Sequence, residues 1–287
     1  MKPPRFEYVR PESVEEALAV LAEHGDDAKV LAGGQSLVPM LNMRLVSPGV
    51  VVDVNRIPGL DRIAGENGTV RAGALVRQAA FERSQVVRRR LPLVAECLPY
   101  VGHFVTRNRG TVGGSIAHAD AKAELPLALL SLRGAAVVRS ARGERTIPAG
   151  ELFVTHYTTS LEPDELLVET IWPAAAPGFG SAFQEFALRA GDYALAMAAC
   201  VLRVEADRVT DALVTVGGTH DRPSVMKTGD LLIGHEITAE LAREAGEATR
   251  AEIEPVGSLH ASAAYQRHLA GLLAERAVLR AWRSATA

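Results

Sequence analysis

The spacing of hydrophobic positions changes several times along the chain, and each change predicts an element. Val14, Ala17, Leu18 and Leu21 share one helical face, with Ser13 and Glu16 as a capping box at its start and Gly25 as its stop. Residues 29–32 read as a short strand that runs into Gly33-Gly34-Gln35-Ser36. Residues 37–45 then read as a short helix, and 50–54 as a buried strand bounded by Pro48-Gly49 and Pro58-Gly59. The first fifty residues therefore have a β-α-β-like pattern. From 69 to about 172, short strands (69–72, 135–139, 166–171) mix with helices (77–84 and 91–100), which predicts an α+β region. Residues 173–178 read as a linker, and 181–188, 194–205 and 208–217 as consecutive strands. Tyr265, Leu269, Leu272, Leu279 and Trp282 recur at helical spacing and predict a terminal helix packed on one face. The expected fold class is α+β, divided as 1–55 (α/β), 56–176 (α+β) and 177–287 (antiparallel sheet and helices).

Composition narrows the function. A chain of 287 residues with 48% hydrophobic positions has ample material for a core. Its net charge of −3 argues against nucleic-acid binding led by electrostatics. The apolar stretches at 50–54 and 125–130 fall far short of the roughly 20 residues a membrane span needs, and the start lacks the apolar core of a signal peptide, which places the chain in the cytoplasm. Cys97 and Cys200 are too few for a disulfide framework or a cysteine-ligated cluster. Any redox centre must then be organic or sit on a partner chain. The eight histidines, among them His118, show no H-E-x-x-H and no Cys-His cluster, so no metal is expected.

Two glycine-rich stretches carry the candidate chemistry. In Ala32-Gly33-Gly34-Gln35-Ser36 a strand meets paired glycines, where successive backbone N–H groups can form a concave nest for a phosphate; a plain tight turn fits the same residues. Gly110-Thr111-Val112-Gly113-Gly114-Ser115 repeats the device and leads to His118, Asp120 and Glu124. His118 can meet a phosphate or simply order its loop, and Asp120 can equally cap a helix starting near Ala121. Neither stretch is a G-x-G-x-x-G or a G-x-x-x-x-G-K-[ST], which leaves a dinucleotide bound through loops. Ser36 and Ser115 lack the G-x-S-x-G elbow of a hydrolase. Arg88-Arg89-Arg90 reads as a solvated helix end or an intersubunit ion pair, and Gly217-Gly218 as a sheet-end turn.

Taken together, A-G-G-Q-S-L at 32–37, R-N-R-G-T-V-G-G-S-I-A-H-A-D-x-x-A-E-L-P at 107–126, Y-T-T-x-L-x-P-x-E-L-L at 157–167 and R-x-G-D-Y-A at 189–194 resemble the FAD-binding medium subunit of the molybdenum hydroxylases, the group of xanthine dehydrogenase and carbon monoxide dehydrogenase. The resemblance covers nearly the whole chain. It implies a two-subdomain FAD-binding fold of the PCMH/VAO type followed by a C-terminal antiparallel sheet with helices. It also implies that Ala32, Gly33, Gly34, Gln35 and Ser36 with Thr111, Val112, Gly113, Gly114 and Ser115 hold the FAD diphosphate through backbone amides and hydroxyls. Leu31 and Leu37 would flank the first loop, His118, Asp120 and Glu124 would line the second, Leu167 would contact the flavin or adenine side, and Tyr193 would lie near the isoalloxazine ring. By the same resemblance FAD is non-covalent, [2Fe-2S] clusters and the molybdopterin cofactor sit on partner small and large chains, and the complex is a heterohexamer of two large, two medium and two small chains. Electrons would pass from the iron–sulfur chain through this chain to an external acceptor, with no catalytic residue of its own. Ala121, where many members carry Pro, points toward an N-heteroaromatic hydroxylase, with an aldehyde- or CO-type hydroxylase left open beside it. A stand-alone FAD-dependent oxidase is the alternative.

Overall fold

The computed structural model describes residues 2–287. The elements are β1 (Glu7–Val9), α1 (Val14–His24), β2 (Ala28–Leu31), α2 (Leu37–Asn42), β3 (Val50–Asp53), β4 (Ile63–Glu66), β5 (Thr69–Gly73), α3 (Gln78–Arg83), α4 (Gln85–Arg90), α5 (Pro92–Cys97), α6 (Phe104–Arg109), α7 (Val112–His118) and α8 (Glu124–Ser131). They continue with β6 (Ala135–Ser140), β7 (Gly143–Pro148), α9 (Ala149–Leu152), β8 (Phe153–Thr155), β9 (Thr158–Thr159), β10 (Leu166–Pro173), β11 (Phe179–Phe186), β12 (Ala196–Glu205), β13 (Arg208–Gly217), β14 (Ser224–Met226), α10 (Ala239–Glu252) and α11 (Ala263–Thr286). The mixture is α+β.

Three larger sheets and the two-stranded β8-β9 organise these elements. The first is parallel, in the order β1-β3-β2. Its central strand is buried on both faces, which is why Val50-Val51-Val52 is an unbroken apolar run. The second is antiparallel, β4-β5-β10-β6-β7. Val70, Ala72, Ala136, Val138 and Trp172 turn to one core, while Val137, Leu166 and Val168 turn to the core beneath α1. The third is the antiparallel β11-β12-β13-β14. Along β12, Met197 and Ala199 face the central core and Ala196, Ala198, Cys200 and Leu202 face that of α11, so period-two alternation buries both sides. Trp172 is fully buried, and its indole N–H donates to Thr170 Oγ1 at 2.8 Å.

Several expectations need correction. Ser13 Oγ accepts from the Glu16 N–H, but the Glu16 carboxylate takes the N–H of Glu12 rather than that of Ser13, so the capping box is half made. The helix expected over 91–100 is α5 followed by a 3₁₀ turn at Leu98–Tyr100, where Pro99 breaks the pattern. On α11 the buried face runs through Gln266, Leu269, Ala270, Leu273, Ala274, Ala277, Val278 and Ala281. Tyr265 is exposed, and Leu272, Leu279 and Trp282 lie on the flank. Small residues recur on α11 where its neighbours come very close: against α10 a Cβ on Gly246 would sit 2.7 Å from the Gly271 oxygen, and the converse holds at 2.7 Å, while against β11 a Cβ on Gly180 would meet the Ala281 oxygen.

Candidate functional site

A cleft of about 660 Å³ opens between the parallel unit and the second sheet, with Gly191, Asp192 and Tyr193 closing one side. That volume lies within the roughly 300–1,000 Å³ of ligand pockets. Of the residues expected from sequence, all but Leu31 and Val112 line it. Val112 is instead fully buried, with its N–H on Val76 O at 2.9 Å, and Leu31 packs at the edge of β2.

The first loop follows β2, and its glycines answer two separate steric demands. Gly34 has φ +72°, and a Cβ on Gly33 would lie 2.5 Å from the Arg109 carbonyl oxygen and 2.8 Å from the Gly110 Cα. The two glycine stretches therefore pack backbone against backbone. Among the described residues nothing accepts a hydrogen bond from the backbone N–H groups of Gly33, Gly34, Gln35 and Ser36, nor bonds Ser36 Oγ. Four consecutive unpaired donors lining a cleft suit an anion, and the cradle has no room for a Cβ at Gly33.

The second stretch differs from the nest expected for it. Thr111 caps α7, so Gly113, Gly114 and Ser115 form a helical first turn. Its amides are already engaged: Gly113 N–H on Ala74 O, Gly114 N–H on Thr111 Oγ1 and Ser115 N–H on Thr111 O, at 3.0, 3.0 and 3.1 Å. What this stretch offers the cleft is the Ser115 hydroxyl, which has no partner among the described residues, and a flat glycine surface. Asp120 does not cap a helix at 121. Its carboxylate accepts from Lys122 N–H at 2.9 Å in a tight turn, and α8 starts at Glu124.

At the far end of the cleft, His118 stacks on Tyr157 with ring centroids 4.9 Å apart. Tyr157 sits at φ +54° and its N–H holds Ala119 O at 3.1 Å, a left-handed conformation rare for a tyrosine. Burial lowers the His118 pKa against the pull of Asp120, which favours the neutral imidazole. Glu124, 7% exposed, has its carboxyl pushed up to about 7, chiefly by burial and to a lesser degree by Asp120. Glu185 on β11 is pushed up to about 8 by burial and by Glu124, and its Oε2 has no hydrogen-bond partner.

Sequence reasoning missed Asn55, Arg77, Gln78 and the cleft role of Tyr157. Asn55 Nδ2 donates to Ala32 O at 2.7 Å, and Arg77 donates from Nη2 to Asn55 Oδ1 at 2.7 Å and from Nη1 to Arg109 O at 2.5 Å. Gln78, 5% exposed, lines the cleft with a buried, unpartnered Oε1. Its one signal was an amide in an otherwise apolar helix face. Tyr157 already stood in a motif but carried no role. Among the described residues no group of three or more His, Cys, Asp or Glu side chains could hold a metal, and no helix is long and apolar enough to cross a membrane.

Comparison with known proteins bears directly on this cleft. Residues 4–175 match the FAD binding domain in molybdopterin dehydrogenase, and residues 181–281 match the CO dehydrogenase flavoprotein C-terminal domain. The chain belongs to this FAD-binding family. Subunit alpha of the 6-hydroxypseudooxynicotine dehydrogenase complex of Paenarthrobacter nicotinovorans is 42% identical over 98% of this chain and 96% of its own length. Among solved structures, carbon monoxide dehydrogenase of Hydrogenophaga pseudoflava superposes with a TM-score of 0.96 at 37% identity, covering 99% of both chains. Quinoline 2-oxidoreductase of Pseudomonas putida 86 superposes at 0.94 with 36% identity, covering both chains fully. The family is that of the medium subunits of molybdenum hydroxylases, so the chain is an oxidoreductase subunit whose cofactor is FAD. The free amides of residues 33–36, the open hydroxyls of Ser36 and Ser115 and the cleft volume fit this group.

Proposed function

We propose that the chain is the electron-transfer subunit of a molybdenum hydroxylase complex, taking electrons from a [2Fe-2S] small chain supplied by a molybdopterin large chain and passing them to an external acceptor. The observation that carries this reading is the row of unpaired amides at Gly33–Ser36 facing the hydroxyl of Ser115 across one cleft. FAD, when bound, supplies the step between one-electron and two-electron chemistry. The chain's own work is to bind and orient. The amides of residues 33–36 with Ser36 and Ser115 take the diphosphate, Leu37 and Leu167 give apolar contact, and His118, Asp120, Glu124 and Tyr193 border the rest of the ligand. Residues 1–55 and 56–176 then form the two FAD-binding subdomains and 177–287 the C-terminal domain.

A complex of two large, two medium and two small chains in the cytoplasm completes the reading. Full-length relatives named as a complex subunit and a medium chain favour it over a stand-alone oxidase. Ala121 in the second loop, together with relatives named for quinoline and 6-hydroxypseudooxynicotine, favours an N-heteroaromatic substrate on the large chain. The test is co-expression with the small and large chains of the same complex. Co-purification, with reduction of the bound flavin by an N-heteroaromatic only when all three chains are present, is expected. Flavin reduction by that substrate in this chain alone would overturn the subunit reading in favour of the oxidase.

A further inference from the structure

Arg77 lies behind the cleft, just before α3, and does not line it. Its backbone bridges Thr111, and the neighbouring backbone bonds, Val112 N–H to Val76 O and Gln78 N–H to Gly110 O, fix it against the second glycine stretch. Its guanidinium then forks. One arm reaches Arg109 O at 2.5 Å, the same carbonyl that Gly33 packs against. The other reaches Asn55 Oδ1 at 2.7 Å, and Asn55 Nδ2 in turn holds Ala32 O at 2.7 Å and Leu31 O at 3.3 Å. Asn55 is itself fixed by Asp53, whose other oxygen takes the Tyr8 hydroxyl. Arg77, acting with Asn55, thus ties together the backbones of the two loops that line the cleft.

The charge of Arg77 is not neutralised at close range. No carboxylate among the described residues forms an ion pair with it. Among the described residues Asp53 is the one acidic influence on it, and its carboxylate is occupied by Tyr8 and Asn55; the Arg109 guanidinium acts in the opposite sense. A guanidinium remains charged at any physiological pH. All of its captured acceptors are neutral oxygens, so a net positive charge stands half-buried behind four unpaired amides. In a partly buried setting such a charge acts over several ångströms with limited screening.

We propose that Arg77 is a positioning residue for the diphosphate: it locks the two loops in register through Asn55 and Arg109 and supplies, from behind them, the fixed positive charge that the bound diphosphate needs. The inference rests on the FAD reading of the cleft. Arg77 does not line the cleft, and acts through the backbone it holds and the field it makes.

The test is FAD affinity of the full chain, stripped of flavin, at low and high salt, for the wild type, Arg77→Lys and Arg77→Met, with the melting temperature of each as a folding control. Arg77→Met is expected to bind FAD about tenfold more weakly at low salt. Its affinity should also fall less steeply with added salt than that of the wild type. Arg77→Lys, which keeps the charge and loses the fork, should retain the wild-type salt slope. Arg77→Gln replaces Arg77→Met if the latter does not fold. Wild-type protein that takes FAD while Arg77→Met takes it equally well would overturn the inference alone. A weakened Arg77→Met with an unchanged salt slope would overturn the charge and leave only a loop tie. Folded wild type that takes no FAD would overturn the reading of the cleft itself.

Discussion

The carbonyl oxygen of Arg109 lies 2.5 Å from where a Cβ on Gly33 would stand, so two loops some seventy-five residues apart in sequence meet with no side chain between them. The neighbour is backbone and cannot swing aside. Gly33→Ala must push the loops apart and widen the cleft at the unpaired amides. Flavin content of purified Gly33→Ala is expected to fall well below that of the wild type, while the melting temperature drops by only a few degrees, because the strain is of the order of 1–3 kcal/mol. Equal flavin content in the two proteins would show that the contact does not shape the binding site.

Gly113 makes the matching contact on the other side, where a Cβ would lie 2.5 Å from the Ala74 Cα. Here the clash is inside the core that joins α7 to β5. Gly113→Val should therefore lose stability as well as flavin, and a thermal melt that matches the wild type would contradict it.

Glu185 gives a pH-dependent stability. Its carboxyl is raised from 4.5 to about 8 in the folded chain, so the folded state binds the extra proton between those values. Stability is complete below about pH 4.5 and is lost as pH rises through the folded pKa. Glu185→Gln removes the titrating group and should be more stable than the wild type at pH 8.5, by roughly 3–5 kcal/mol, with a much smaller difference at pH 5. Thermal melts at the two pH values check this. A variant that is less stable at pH 8.5 would mean that the ionised carboxylate is favoured in place.

How far the sequence reached depends on the kind of interaction. The paired glycines at 33–34 and 113–114 were legible because close backbone approach demands glycine and little else does. The strand state of β12 was legible in the apolar stretch at 194–205, while its burial on both faces emerges only from the fold. The helical state of residues 112–118 was hidden because two glycines outweigh a Thr N-cap in any propensity reading, yet the fixed contact with Ala74 and Val76 holds the turn. Asn55 and Arg77 were invisible for a different reason. Both are ordinary polar residues, and their importance comes only from folding, which places Arg109 and Ala32 on either side of them. The buried face of α11 is not legible from large apolar residues, because close packing against α10 and β11 selects Ala and Gly there.

Thr170 supports the core beneath the site without taking part in it. Its Oγ1 accepts the Trp172 indole N–H and donates to Ala72 O at 3.1 Å, with both side chains fully buried. Thr170→Val keeps the shape and strands the indole N–H, at a cost of about 1–3 kcal/mol. Denaturant unfolding should show that loss with flavin content unchanged. Loss of flavin at full stability would instead place Thr170 in the binding machinery.

The most direct measurement is a titration of flavin-stripped, folded protein with FAD, followed by flavin absorbance and fluorescence, in the wild type and in a Ser36→Ala, Ser115→Ala double variant. Saturation at one FAD per wild-type chain, with weaker binding in the double variant, is the expected result. Folded wild-type protein that takes up no FAD, or a double variant that binds as tightly as the wild type, would contradict the assignment of the diphosphate to these two loops.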